Sequence, residues 1–169
     1  MWRHKTVEMG MLLAFALLLS YVETLLPFAI GLPGVKIGLA NLAVILCLYV
    51  FSMKEAFMLT VLKAVLATAM FGNGFMMLYS ISGAVLSCAV MGILKRTGKL
   101  HLPVVSAVGG VTHNMAQLLV AAFVIQTYRV LYYVPFLIIA GIMMGLVNGS
   151  IASCILPYIK KIIRNRERL

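Results

Sequence analysis

The chain has 169 residues, 63% of them hydrophobic and only 11% charged, a mean hydropathy of +1.08 and a net charge of +10. Ordinary soluble domains are about half apolar and a quarter charged, so a soluble fold is excluded. A nucleic-acid binder is excluded too, because the cations gather at the ends of apolar runs with no basic face of interleaved aromatics. What is left is an integral membrane protein of one domain, 1–169, with a basic tail at 160–169.

The start, Met1-Trp2-Arg3-His4-Lys5, looks like the charged head of a signal peptide. The apolar run that follows outlasts a signal core, and no cleavage site precedes polar sequence, so it reads as a retained first transmembrane helix, about Val7 to Leu26, stopped by Pro27. Next comes Gly31-Leu32-Pro33-Gly34-Val35-Lys36-Ile37-Gly38-Leu39-Ala40-Asn41. Pro33 disfavours helix at Leu32, and the glycines permit positive φ and close approach to the backbone. Non-helical backbone at membrane depth is tolerated only where it is buried in protein or lines a watery cavity. The stretch therefore reads either as a lid, Gly31, Pro33, Gly34 and Gly38, over a binding site to which it brings Lys36 and Asn41, or as an ordinary interhelical turn with a snorkelling lysine.

Further spans are expected at about Ile37 to Phe51, a short one read as tilted or partly non-spanning, and at Glu55 to Phe71, Phe75 to Leu94, Val104 to Gln126 and Tyr133 to Tyr158. The third breaks at Gly72-Asn73-Gly74, and the fourth ends at Lys95-Arg96-Thr97-Gly98-Lys99. The expected fold is thus all-α: six transmembrane helices with a non-helical loop after the first. Lys and Arg fall before the first span, in alternate loops and after the sixth, while the other loops hold only Lys36 and Arg129. That asymmetry places both termini in the cytoplasm and the glycine-rich loop outside. Rows of small residues four apart (Gly141, Gly145, Gly149; Ser80, Ala84, Cys88, Gly92; Thr60, Ala64, Thr68, Gly72) read as helix-packing seams. Gly10, Ala14 and Ser20 of the first span read as a packing row or a docking face for a partner. Cys47, Cys88 and Cys154 lie unpaired in apolar runs and read as small core residues.

Lys63 lies mid-way along the third span, where a charge costs several kcal/mol unless it faces a cavity, a carboxylate or an anion. Aspartate is absent, and Glu23 is the one candidate internal carboxylate. The two residues form either a structural pair or, with Lys63 as the cation, part of an anion site. His113, Asn114 and Gln117 share one helix face one turn apart. Together with Asn41, Asn73 and the aromatic Tyr79 they form a candidate polar pocket; no second His or Cys is spaced to make it a metal site. Nucleophile-elbow, phosphate-loop and dinucleotide signatures are missing, and four scattered glutamates supply no acidic Mg²⁺ cluster.

Pro33-Gly34-Val35-Lys36-Ile37-Gly38-Leu39-Ala40-Asn41, Lys54-Glu55-Ala56, Ser80-Ile81-Ser82-Gly83-Ala84-Val85-Leu86-Ser87 and His113-Asn114-Met115-Ala116-Gln117 resemble the small bacterial membrane proteins of the Gx transporter family. These are also catalogued as heptaprenyl diphosphate synthase component I. The resemblance covers nearly the whole chain. That family is similar to the substrate-binding S components of energy-coupling factor (ECF) vitamin transporters. The likeness implies six helices, an outward pocket capped by the loop after the first helix, and docking of that helix on a transmembrane coupling subunit with two ATPases. It also implies an arginine where Lys63 stands; a lysine keeps the charge but loses the planar fork.

The resemblance and the residues together lead to one expectation. The chain is an S-component-like subunit of the bacterial cytoplasmic membrane that binds a small anionic cofactor or precursor, a flavin-type vitamin above all. Lys36 and Lys63 attract the anion, Asn41, Asn73, His113, Asn114 and Gln117 bond its polar part, and Tyr79 stacks on a ring. No catalytic residue, catalytic cofactor, metal or nucleic-acid partner is expected. The alternative is a non-catalytic membrane component of heptaprenyl diphosphate synthase in isoprenoid quinone synthesis, partnered by a soluble prenyl synthase subunit.

Overall fold

The structure, a computed structural model, describes residues 2–25 and 38–166. Lys36, Gly31, Pro33 and Gly34 of the expected lid lie outside the described residues. Six α-helices follow in order: α1 (Trp2–Leu25), α2 (Asn41–Val50), α3 (Met53–Phe71), α4 (Gly74–Thr97), α5 (Leu102–Ile125) and, after a 3-10 turn at Tyr128–Tyr133, α6 (Val134–Arg166). The all-helical class is as expected. Four stretches are long and apolar enough to cross a membrane: Lys5–Leu25, Gly74–Thr97, Leu102–Ile125 and Tyr128–Asn165. Helix α3 has the length, but Lys54, Glu55 and Lys63 interrupt its apolar character.

The second expected span needs correction. Its helix begins at Asn41 rather than Ile37, because Gly38 has φ +89, outside the right-handed helical region. Ten residues at 1.5 Å each reach about 15 Å, half of a bilayer core of about 30 Å. Leu42 to Leu48 are all buried, so α2 is a half-length helix wrapped by α1, α3 and α6.

Small residues set the packing of the long helices. The most extensive pair is α5 with α6. A Cβ on Gly145 would stand 2.5 Å from Ala107 Cα and 2.6 Å from Ser106 O, and one on Gly149 2.5 Å from Pro103 Cα, so the expected glycine row is the seam. Ser106 Oγ bridges it by donating to Gly145 O at 2.6 Å. Ser80, Ala84, Cys88 and Gly92 likewise lie buried along α4. The outer surface carries large apolar side chains on every side, among them Leu18, Met70, Phe75, Ile93, Phe123 and Met143, as a lipid-facing belt requires.

One end of the bundle is basic. Lys5, Lys54, Lys95, Arg96, Lys99, Lys160, Lys161 and Arg164 lie there, against Arg129 alone at the other end among the described residues. At the basic end Lys5 pairs with Glu55 and ties α1 to the start of α3. Lys95 Nζ donates to Leu48 O at 2.5 Å and lies 5.1 Å from the Tyr49 ring centre, closing the last turn of α2.

Candidate functional site: a buried polar layer around the start of α2

The residues that should not sit in lipid are brought together at one depth. His113 lies twelve residues beyond His101, at the basic end of α5; at 1.5 Å per residue this is about 18 Å into the bundle, near mid-membrane. From α5 come His113, Asn114 and Gln117, all buried. Gly83 lets α4 approach them, since a Cβ there would meet Gln117 Cγ at 2.7 Å and His113 O at 2.9 Å. Asn114 Nδ2 donates to Leu137 O of α6 at 2.9 Å. Buried Ser87 of α4 donates to Gly109 O at 2.8 Å.

The centre of the layer is the peptide of Gly38. Its N–H donates to Glu23 of α1, which also accepts from Leu39 N at 2.7 Å, and its carbonyl accepts from Asn148 Nδ2 of α6 at 2.9 Å. Three distant segments therefore meet on one glycine. The start of α2 exposes unpaired N–H groups and the positive end of the helix dipole, and a buried carboxylate is the natural partner for both. Lys63 Nζ donates to Asn41 Oδ1 at 2.8 Å, so the cation of α3 is joined to the first residue of the same half-helix. Of the two readings of Glu23 and Lys63, the structure places both against the start of α2 and on one cavity.

Two small cavities open in this layer. One of about 30 Å³ is lined by Ser20, Glu23, Lys63, Ser80, His113 and Gln117. The other, of about 20 Å³, is lined by Asn41, His113, Asn114, Asn148 and the glycines between α5 and α6. A water needs roughly 10–15 Å³ of such space, whereas ligand pockets run to about 300–1,000 Å³. Each cavity is thus water-sized. Gln117 Oε1 and Asn148 Oδ1 are buried acceptors that take no hydrogen bond from the described residues.

Not all expected site residues join the layer. Asn41, Lys63, His113, Asn114 and Gln117 do. Tyr79 is buried beside Ser80 but lines neither cavity. Asn73 is exposed and caps α4, its Oδ1 accepting from Met76 N at 2.9 Å. Gly38, expected in the lid, is instead the hub at the layer's centre. Gly10 and Ala14 are exposed on α1, whereas Ser20 is buried and lines the larger of the two cavities, so the three do not share one face. Sequence reasoning missed Asn148. An asparagine in the middle of the sixth apolar run was the signal, hidden by the glycine row beside it.

Two larger hollows lie at the basic end. An apolar groove of about 360 Å³ runs between α1, α2 and α6, floored by Leu46 and Val50 and walled by Phe15, Ile155, Ile159 and Ile163. A second hollow, of about 450 Å³, lies where α2, α3 and α4 meet. Between them Glu55 accepts from Lys5, from the Ser52 hydroxyl and from Ser52 N at 3.2 Å. The Lys5 hydrogen bond first, then that of Ser52, holds its carboxyl down at about 2.

Residues 12–155 match a family model described as heptaprenyl diphosphate synthase component I. No curated protein and no solved structure matches the chain.

Proposed function

The chain belongs to the heptaprenyl diphosphate synthase component I family, and from that membership we propose that it is the membrane component of a two-part polyprenyl diphosphate synthase. The match over residues 12–155 carries the reading. It takes the place of vitamin uptake as the leading function, because the family description names a synthase component and the cavities of the polar layer are water-sized.

Chain elongation on diphosphates with Mg²⁺ uses clustered carboxylates. This chain has no aspartate and four glutamates, of which Glu8 and Glu55 lie at the basic end and Glu23 caps α2. We therefore assign the bond-forming chemistry to a soluble partner subunit, and to this chain the handling of an insoluble product. The apolar groove between α1, α2 and α6 suits a polyisoprenoid tail: it is open, lined by aliphatic and aromatic side chains with Glu8 as its one charged residue, and placed at the end of the bundle where the cations gather. The basic end then faces the cytoplasm, by the positive-inside bias, where the partner works.

The test is affinity purification of the tagged full chain from native membranes. Enrichment of a soluble, Asp-rich prenyl synthase, with more long-chain product when the two are mixed than from the soluble subunit alone, supports the proposal. Recovery of a coupling subunit with ATPases and no synthase overturns it.

That second outcome is the uptake reading, and one observation favours it: a half-length helix whose start, joined to Lys63 through Asn41, lies at mid-depth. Broken-helix ends at the midplane are where many transporters bind their solutes. Mass spectrometry of small anionic molecules retained by wild type but lost from Lys63→Ala would establish it.

A further inference from the structure

The hollow of about 450 Å³ at the basic end is lined by three cations, Lys54, Lys95 and Arg96, with Ser52 beside them and apolar Leu48 and Phe51 behind, and by no acid. The neighbouring carboxylate, Glu55, is engaged with Lys5 and Ser52. Lysines at helix ends commonly snorkel into water, which is the ordinary consequence of charge bias. Lys95 does not: its ammonium is fixed by Leu48 O and the Tyr49 ring. Lys160 of α6 adds further positive potential from nearby. Cations brought to one concavity with no acid in its lining among the described residues repel one another, and the volume lies within the range of ligand pockets.

We infer that this hollow is a binding site for a phosphate or diphosphate group, carried either by an anionic lipid or by a soluble phosphate compound. Arg96 offers a planar fork for two oxygens, and Lys54 and Lys95 act as point charges on the rest. The inference stands on the hollow's own charge and shape and holds whether the chain serves synthesis or uptake.

The test has two arms on the full chain. In detergent, inorganic diphosphate is titrated calorimetrically into wild type, into Lys54→Gln/Arg96→Gln and into a control, Lys99→Gln/Lys161→Gln, whose exposed cations lie outside the hollow. In nanodiscs, native mass spectrometry counts phosphatidylglycerol retained over phosphatidylcholine by the same three proteins. Weakening of diphosphate binding by about tenfold or more in the first variant, with the control within about twofold, supports the site and a soluble ligand. No diphosphate binding, but loss of phosphatidylglycerol in the first variant only, supports the site and a lipid ligand. If both variants behave alike in both arms, the positive end is a diffuse surface charge and the inference falls. Should the first variant not fold, amine acetylation of wild type replaces it. Diphosphate or phosphatidylglycerol should then shield Lys54 and Lys95 more than Lys99 and Lys161; equal shielding overturns the site.

Discussion

Glu23 is buried near the end of α1 with its carboxylate turned onto the amides of Gly38 and Leu39. An unsatisfied buried donor costs about 1–3 kcal/mol, and Glu23→Leu strips the acceptor from two of them while leaving the positive end of α2 uncompensated. Thermal unfolding in detergent should show a loss of about 2–4 kcal/mol for Glu23→Leu and distinctly less for Glu23→Gln, which keeps an acceptor oxygen. No loss in either variant would mean that the carboxylate holds nothing, and equal losses would assign its role to the charge rather than to the acceptor oxygen. Glu55 gives the pH counterpart at the surface. Its carboxyl titrates at about 2 in the fold against an ordinary 4.5, lowered first by Lys5 and then by Ser52. A depressed carboxylate stabilises the fold fully above its unfolded value and loses that contribution as pH falls from about 4.5 toward 2. The pair is partly exposed, so its worth is about 1 kcal/mol or less. The melting temperature of wild type minus that of Glu55→Gln should therefore be positive at pH 6 and shrink toward zero on acidification through that window; a constant difference would refute the pairing. Lys63, His113, Asn114 and Gln117 were legible as a group because polar side chains stand out against an apolar run. The partner of Glu23 was not, because backbone amides leave no mark in sequence.

Among the helices, the seam between α5 and α6 separates two kinds of glycine. At Gly145 an added Cβ meets backbone, Ala107 Cα at 2.5 Å and Ser106 O at 2.6 Å, which gives way only if the helices part. At Gly10 nothing lies within 4 Å. Gly145→Ala should then cost about 1–3 kcal/mol by overpacking and break the Ser106 hydrogen bond. Gly10→Ala should be neutral or raise stability by up to about 1 kcal/mol, since alanine is the better helix former. Thermal melts of the two variants check both signs, and a destabilising Gly10→Ala would point to a partner seated on that face of α1. The four-residue spacing revealed the seam in advance because close packing in lipid leaves few alternatives to small residues. The second run was legible as short, but the start of its helix only at Asn41 was not. Leu42 to Leu48 read as any buried apolar run does, and the shortening rests on one left-handed glycine at residue 38 together with side chains more than one hundred positions away, such as Asn148. The two hollows at the basic end were equally hidden, since each is built from residues that are individually ordinary at a helix end.

The whole molecule has two unlike ends and a polar middle. Cations crowd one end, and exposed Tyr128 and Tyr132 mark the other, where amphipathic rings favour the membrane–water interface. Lys63 and Glu23 between them are held by the start of α2. Both described terminal helices reach the basic end, α1 by Lys5 and α6 by Lys160, Lys161 and Arg164. The positive-inside bias acts during insertion and is strongest for short loops, and here each connection at the basic end has a cation in it or beside it, while Arg129 stands alone opposite among the described residues. Green fluorescent protein fused after Leu169 should therefore fluoresce in the cytoplasm. Alkaline phosphatase, which folds only on the oxidising outer side, should be inactive at that position and active when inserted beside Thr127. The reverse pattern would turn the basic hollow and the apolar groove outward, away from any soluble synthase. It would sink the synthase reading while leaving the phosphate site to be judged on its own binding data. If the expected pattern is found and Arg96→Glu/Lys99→Glu weakens it, the same charges that ready the hollow for an anion also set the protein's orientation. A mixed pattern from the wild type, with both fusions active, would mean that the cations at the basic end do not decide the topology.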